Sequence, residues 1–131
     1  MDIVFFVGRL VLGLFFTMKG VNHFQNKDGL IAYSKSKNLP APGASVIIAG
    51  IIMLLGGLSL IFGVYVEIAL WALAILMVVI GFMMHKFWAE TDPGAKSNEK
   101  ISFMHNMAHA GALLMLLQLA DATLPYALNI F

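Results

Sequence analysis

Four histidines, His23, His85, His105 and His109, are the side chains of this chain with the widest chemical reach. An imidazole moves protons near neutral pH, ligates metals through a ring lone pair, and both donates and accepts hydrogen bonds. His105 and His109 are separated by one helical turn in sequence, so on a helix they share a side, about 6 Å apart at Cβ. Such a pair can chelate a divalent transition metal, ligate haem, bond a quinone carbonyl or relay protons. The plainer alternative is four interfacial polar residues that reach headgroups or backbone carbonyls. Cysteine is absent, which removes disulfides, thiolate ligands and catalytic thiols. Nothing resembles a phosphate loop, a serine nucleophile elbow or a glutamate-assisted zinc motif, so any chemistry rests on the histidines.

The elements that must position these side chains are set by composition. Apolar residues make up 60% of the 131-residue chain and charged residues 11%, whereas roughly a quarter of a soluble protein is charged. So few charges cannot cover a soluble core of this size, and lipid must cover the outside. Eight Lys and Arg, thinly spread and giving a net charge of +1, exclude nucleic acid as a partner. Asp2 stands where a secretory signal would be basic, and no small-residue cleavage site follows the first apolar run, so the first segment is expected to be retained.

A bilayer core of about 30 Å needs roughly 20 apolar residues of helix. Four runs qualify, at about 3–24, 44–62, 66–84 and 101–120. The long apolar stretch interrupted only by Gly63 and Glu67 must fold as a tight helical hairpin. Between the first two spans, Gln25 to Lys37 pairs lysines with Leu30, Ile31 and Tyr33, and reads as a short helix lying on the membrane, ended by Leu39-Pro40-Ala41-Pro42. The residues after Asp121 read as an interfacial tail. The expected architecture is all-α: one domain over 1–131, a membrane-spanning antiparallel four-helix bundle with a short interfacial helix after the first span. Lys19, Lys27, Lys35, Lys37, Lys86, Lys96 and Lys100 fall at the two longer loops and Arg9 alone on the terminal side. The positive-inside rule then puts the loops in the cytoplasm and both termini outside, as in a prokaryotic inner membrane.

This topology brings the end of helix 1, the end of helix 3 and the start of helix 4 to one depth. His23, His85, His105 and His109 are therefore expected to converge, with Asn22, Trp88 and Asn106 beside them. His23, His85, Trp88, His105, Asn106 and His109 are the candidate cofactor-binding residues, and His105 with His109 the candidate metal ligands. Arg9, Gly13, Phe16, Thr17, Gly20 and His23 recur along one stripe of helix 1, and Gly50, Met53, Gly57 and Leu60 along one stripe of helix 2; both suit close helix packing. Arg9 is expected to pair with Glu67, Asp121 or Asp2. Trp71, Trp88 and Tyr65 fit interfacial anchoring.

Gly8-Arg9-Leu10-Val11-Leu12-Gly13, Lys19-Gly20-Val21-Asn22-His23-Phe24, Leu39-Pro40-Ala41-Pro42, Gly56-Gly57-Leu58-Ser59-Leu60-Ile61-Phe62-Gly63 and His85-Lys86-Phe87-Trp88, in this order and spacing, make the chain resemble the DoxX family of small four-helix membrane proteins. Members often carry a glutamate where Met53 stands and a Lys-Asn pair where His105-Asn106 stands, so a role tied to that glutamate is not carried over. The family is named from a component of an archaeal terminal quinol oxidase system, with relatives linked to quinone-dependent thiosulfate oxidation and to oxidative-stress complexes. The resemblance implies a membrane subunit near redox chemistry, as a non-catalytic component of a quinone-linked oxidoreductase, with quinone, haem or a divalent transition metal as candidate cofactors. Such a subunit would have the lipid bilayer, other membrane subunits or further copies of itself as partners. The alternatives are a structural or assembly subunit of a larger membrane complex and, against the lack of deep acidic residues, a small transporter.

Overall fold

A computed structural model describes residues 1–131 as five α-helices and two 3₁₀ turns. The helices are α1 (Asp2–Gln25), α2 (Lys27–Ser36), α3 (Pro42–Phe62), α4 (Val66–Met84) and α5 (Pro93–Leu116), with 3₁₀ turns at Phe87–Ala89 and Leu117–Leu119. Three segments are long and apolar enough to cross a membrane: Asp2–Gln25, Pro42–Phe62 and Val66–Ala89. Their outward faces carry Val4, Val11, Leu14 and Met18 on α1, Ile48 and Leu55 on α3, and Ile68 and Ile75 on α4, all exposed. Water would penalise such a surface and lipid does not.

Two ends differ from the sequence expectation. The last long helix begins at Pro93, well before Ile101, and stops at Leu116. It starts early because Asp92 caps it, its carboxylate accepting from the Ala95 N–H, while Pro93 at the first position needs no donor partner. Its polar N-terminal half keeps α5 from counting among the three apolar segments. The tail after Asp121 does not lie loose on a surface. It folds back on the α3–α4 turn, where Leu128 donates to the Phe62 carbonyl, Tyr65 to Ile130 and Ile130 to Gly63.

That turn explains the hairpin. Gly63 ends α3 in the left-handed region at φ +69°, where a Cβ would meet Ala127, so glycine is required both by conformation and by space. Helix α1 packs along α3, α3 along α4 and α4 along α5. Between α1 and α3 the backbones nearly touch: a Cβ on Gly13 would sit 2.9 Å from the Gly57 carbonyl oxygen, and one on Gly57 would strike Thr17. In lipid, where apolar burial drives little helix association, this close van der Waals fit is the main adhesive. The buried residues of α1 are Arg9, Gly13, Phe16 and Gly20, four of the six in the stripe read from sequence, while Thr17 and His23 are partly exposed. The shared core is built from Phe16, Met53, Leu60, Leu70, Leu73 and Leu113.

Candidate functional site

Because α1 is drawn tightly onto α3 and α5 onto α4, the seam between α1 and α5 has no comparable packing. Large side chains bridge it instead. Phe15 stacks on the His109 ring at 4.8 Å and 26°, and Phe16 meets that ring edge-on at 6.2 Å. Above this floor lies a cavity of about 490 Å³. Apolar side chains such as Val46, Met53, Met77 and Ile80 form most of its wall, and α2 covers one side through Leu30, Tyr33 and Ser34.

His23, His85, His105 and His109 all line this one cavity, together with Asn106, Lys19 and Ser102. Trp88 does not. It stands half exposed in an aromatic cluster with Phe82, Phe87 and Phe103, whose centroids lie 5.2 to 6.1 Å from its own. That placement suits an interfacial anchor. No group of three His, Asp or Glu side chains is gathered as a metal site needs, so His105 and His109 lack a third protein ligand.

Two of the histidines are anchored through the same ring nitrogen. His23 Nδ1 lies 2.8 Å from the Lys19 carbonyl oxygen, the next turn back on α1. His85 Nδ1 lies 2.8 Å from Glu99 Oε2. Glu99 is a junction that the sequence reading missed: its Oε1 accepts from Tyr33 Oη at 3.2 Å and from Lys37 Nζ at 3.1 Å. Lys37 also reaches Glu90 at 3.2 Å. Burial alone would raise the Glu99 carboxyl, but the hydrogen bonds from His85 and Lys37 and the Lys37 charge outweigh it and hold it below the ordinary carboxylate range. Burial opposes the charge on Lys37, yet bonds to Glu99 and Glu90 leave its ammonium above its usual value, while burial and the Glu99 charge push the Tyr33 phenol up. One carboxylate thus joins α2, the end of α4 and the start of α5 beside the cavity. The spacing of Tyr33, Lys37, His85 and Glu99 gives no local signal of this, because the contacts span three separate elements.

Arg9 corrects the expectation of an ion pair. Neither Asp2, Glu67 nor Asp121 pairs with it; all three are exposed. The buried guanidinium donates instead to four backbone carbonyls: Nη1 to Leu60 at 2.9 Å and Ile61 at 3.1 Å, Nη2 to Pro125 at 2.8 Å and Tyr126 at 3.0 Å. Leu60 and Ile61 belong to the last turn of α3, whose carbonyls have no helical partner and carry the negative end of the helix dipole. A planar fork with five donors satisfies them and ties down the tail together. Arg9 is structural and remote from the histidine cavity.

The family model described as DoxX matches residues 4–86, more than half of the chain. No curated protein and no solved structure gives a significant match.

Proposed function

The chain belongs to the DoxX family, and from that premise we propose that it is a redox-associated subunit of the prokaryotic inner membrane that holds a quinone-class ligand in the cavity between α1 and α5. The observation that carries this reading is the cavity itself, about 490 Å³, with mostly apolar and aromatic walls and polar groups that include four histidines, Lys19, Asn106 and three serines. A quinone is a flat apolar ring with polar oxygens at opposite edges, and such a wall with few convergent polar groups is what binds it. Phe15 and the His109 ring offer stacking faces. His23, His85, His105, Asn106 and His109 are the proposed ligand-contacting residues, and Trp88 would anchor the nearby interface. Resident metal fits less well, for want of a third ligand.

In this reading the apolar second half of α5 is the fourth span, completing an antiparallel four-helix bundle. Loops rich in lysine face the cytoplasm and both termini face outward. Catalysis would be completed by partner proteins.

Purification in mild detergent, followed by solvent extraction and mass spectrometry, tests the proposal. The expected result is a quinone recovered near one per chain, with a substantial loss in His105→Ala and His109→Ala. A folded protein that neither retains quinone nor takes up an added short-chain quinone would refute it. A second reading, an assembly subunit, is favoured by the outward face of α5, where Met104, Ala108, Gly111, Ala112 and Met115 are exposed and nothing approaches Gly111. Recovery only inside a larger complex, without quinone, would support that one.

A further inference from the structure

Resting on that quinone-class reading, we infer that the polar end of the cavity is a hydrogen-bond-accepting end that selects the hydroxylated, hydroquinone form of the ligand, with His23 and His85 as acceptors through Nε2 and Glu99 positioning His85. One ring nitrogen of each of these two histidines is already engaged. The partner of His23 Nδ1, at 2.8 Å, is the Lys19 carbonyl oxygen, which only accepts. Nδ1 of His23 must therefore carry the hydrogen. The partner of His85 Nδ1, also at 2.8 Å, is Glu99 Oε2. Glu99 is held ionised, since His85 and Lys37 keep its carboxyl below the ordinary range and Tyr33 and Lys37 both donate to its other oxygen. An ionised carboxylate only accepts, so Nδ1 of His85 carries its hydrogen as well.

A neutral imidazole with its hydrogen on Nδ1 has a bare lone pair on Nε2. Both residues line the cavity and both have only Nε2 left to offer it. The cavity also holds donors, Lys19 and Asn106. A quinone carbonyl can satisfy those donors but offers no hydrogen to either Nε2 lone pair. A hydroquinone hydroxyl serves both kinds of group, because its one hydrogen goes to one Nε2, of His23 or of His85, while its oxygen accepts from Lys19 or Asn106. Leaving a desolvated acceptor unpaired weakens binding by roughly tenfold or more.

The test uses the full chain in lipid nanodiscs with tetramethylhydroquinone and tetramethylbenzoquinone as probes, kept in their redox states, and reads affinity by calorimetry. The hydroquinone is expected to bind at least about tenfold tighter, and His85→Phe to shrink that preference by about threefold or more. Nitrogen NMR of labelled histidine in the wild-type protein reads the tautomers directly: His23 and His85 are expected as Nδ1–H forms. In Glu99→Ala the His85 signals should move toward the Nε2–H form while those of His23 stay, a change that a merely structural role for Glu99 would not produce. Equal affinity for the two probes overturns the inference and leaves the quinone-class reading standing. Binding of neither probe overturns both. An Nε2–H tautomer at His23 and His85 in the wild-type protein also overturns it, whatever the affinities.

Discussion

Replacing Arg9 with leucine removes the side chain that donates both to the end of α3 and to the tail. Four hydrogen bonds between 2.8 and 3.1 Å are lost, and the carbonyls of Leu60, Ile61, Pro125 and Tyr126 lose the only side chain that reaches them. Side-chain hydrogen bonds inside membrane proteins average about 0.6 kcal/mol, so four of them set a lower figure of about 2.4 kcal/mol. Bonds from a charged donor in a dry site are stronger, about 1.5 to 3 kcal/mol each, although four bonds from one group do not add fully. The expected destabilisation is roughly 3 to 5 kcal/mol. Arg9→Lys keeps the charge but not the planar fork and should recover about half of it. Unfolding free energies in bicelles measure the loss, and thiol labelling of Phe131→Cys reads release of the tail, since the natural chain has no cysteine. Glu67→Gln and Asp121→Asn serve as controls and should be silent, both side chains being exposed and outside every ion pair. A change in Arg9→Leu within about 0.5 kcal/mol of zero, the range of an ordinary surface substitution, would refute the carbonyl-clamp account.

Gly57→Leu should separate α1 from α3, because even a Cβ there strikes Thr17; overpacking against backbone costs about 1 to 3 kcal/mol or more, read as a fall in thermal midpoint in detergent. Glu99 should make stability depend on acid. Its carboxyl lies lower in the folded chain than in the unfolded one, so its contribution is complete above the ordinary carboxylate range and is lost as pH falls through the depressed folded value. Unfolding midpoints measured down that range should decline more steeply for the wild-type protein than for Glu99→Gln, and parallel curves would count against the junction. On sidedness, Ser36→Cys and Ser97→Cys, both exposed, should be labelled by an impermeant thiol reagent only from the cytoplasm and Phe131→Cys only from outside. The reverse pattern would invert the proposed orientation.

Much of this architecture was legible in the sequence because lipid imposes a simple condition: backbone polar groups must be satisfied within each apolar segment, which leaves helices of a known length. Runs at 3–24, 44–62 and 66–84 became α1, α3 and α4 for that reason, and the Gln25 to Lys37 stretch became α2. The small-residue stripe of α1 was equally readable, since helical periodicity alone puts Arg9, Gly13, Phe16 and Gly20 on one face. The four histidines, on three separate helices or their ends, line one cavity. What the sequence could not supply was partner choice across elements. A buried arginine in lipid needs oxygen acceptors, but whether they are carboxylates or carbonyls depends on where α3 ends and the tail returns, and only the folded chain decides that. Likewise Asp92 moved the start of α5 upstream through a local cap, and Glu99 joined His85, Lys37 and Tyr33 only because α2, α4 and α5 meet beside the cavity. Periodicity ranks the faces of a single helix. Which face meets which neighbour, and which loose seam remains open as a cavity, is decided by the closest backbone approach, here α1 on α3 through Gly13 and Gly57.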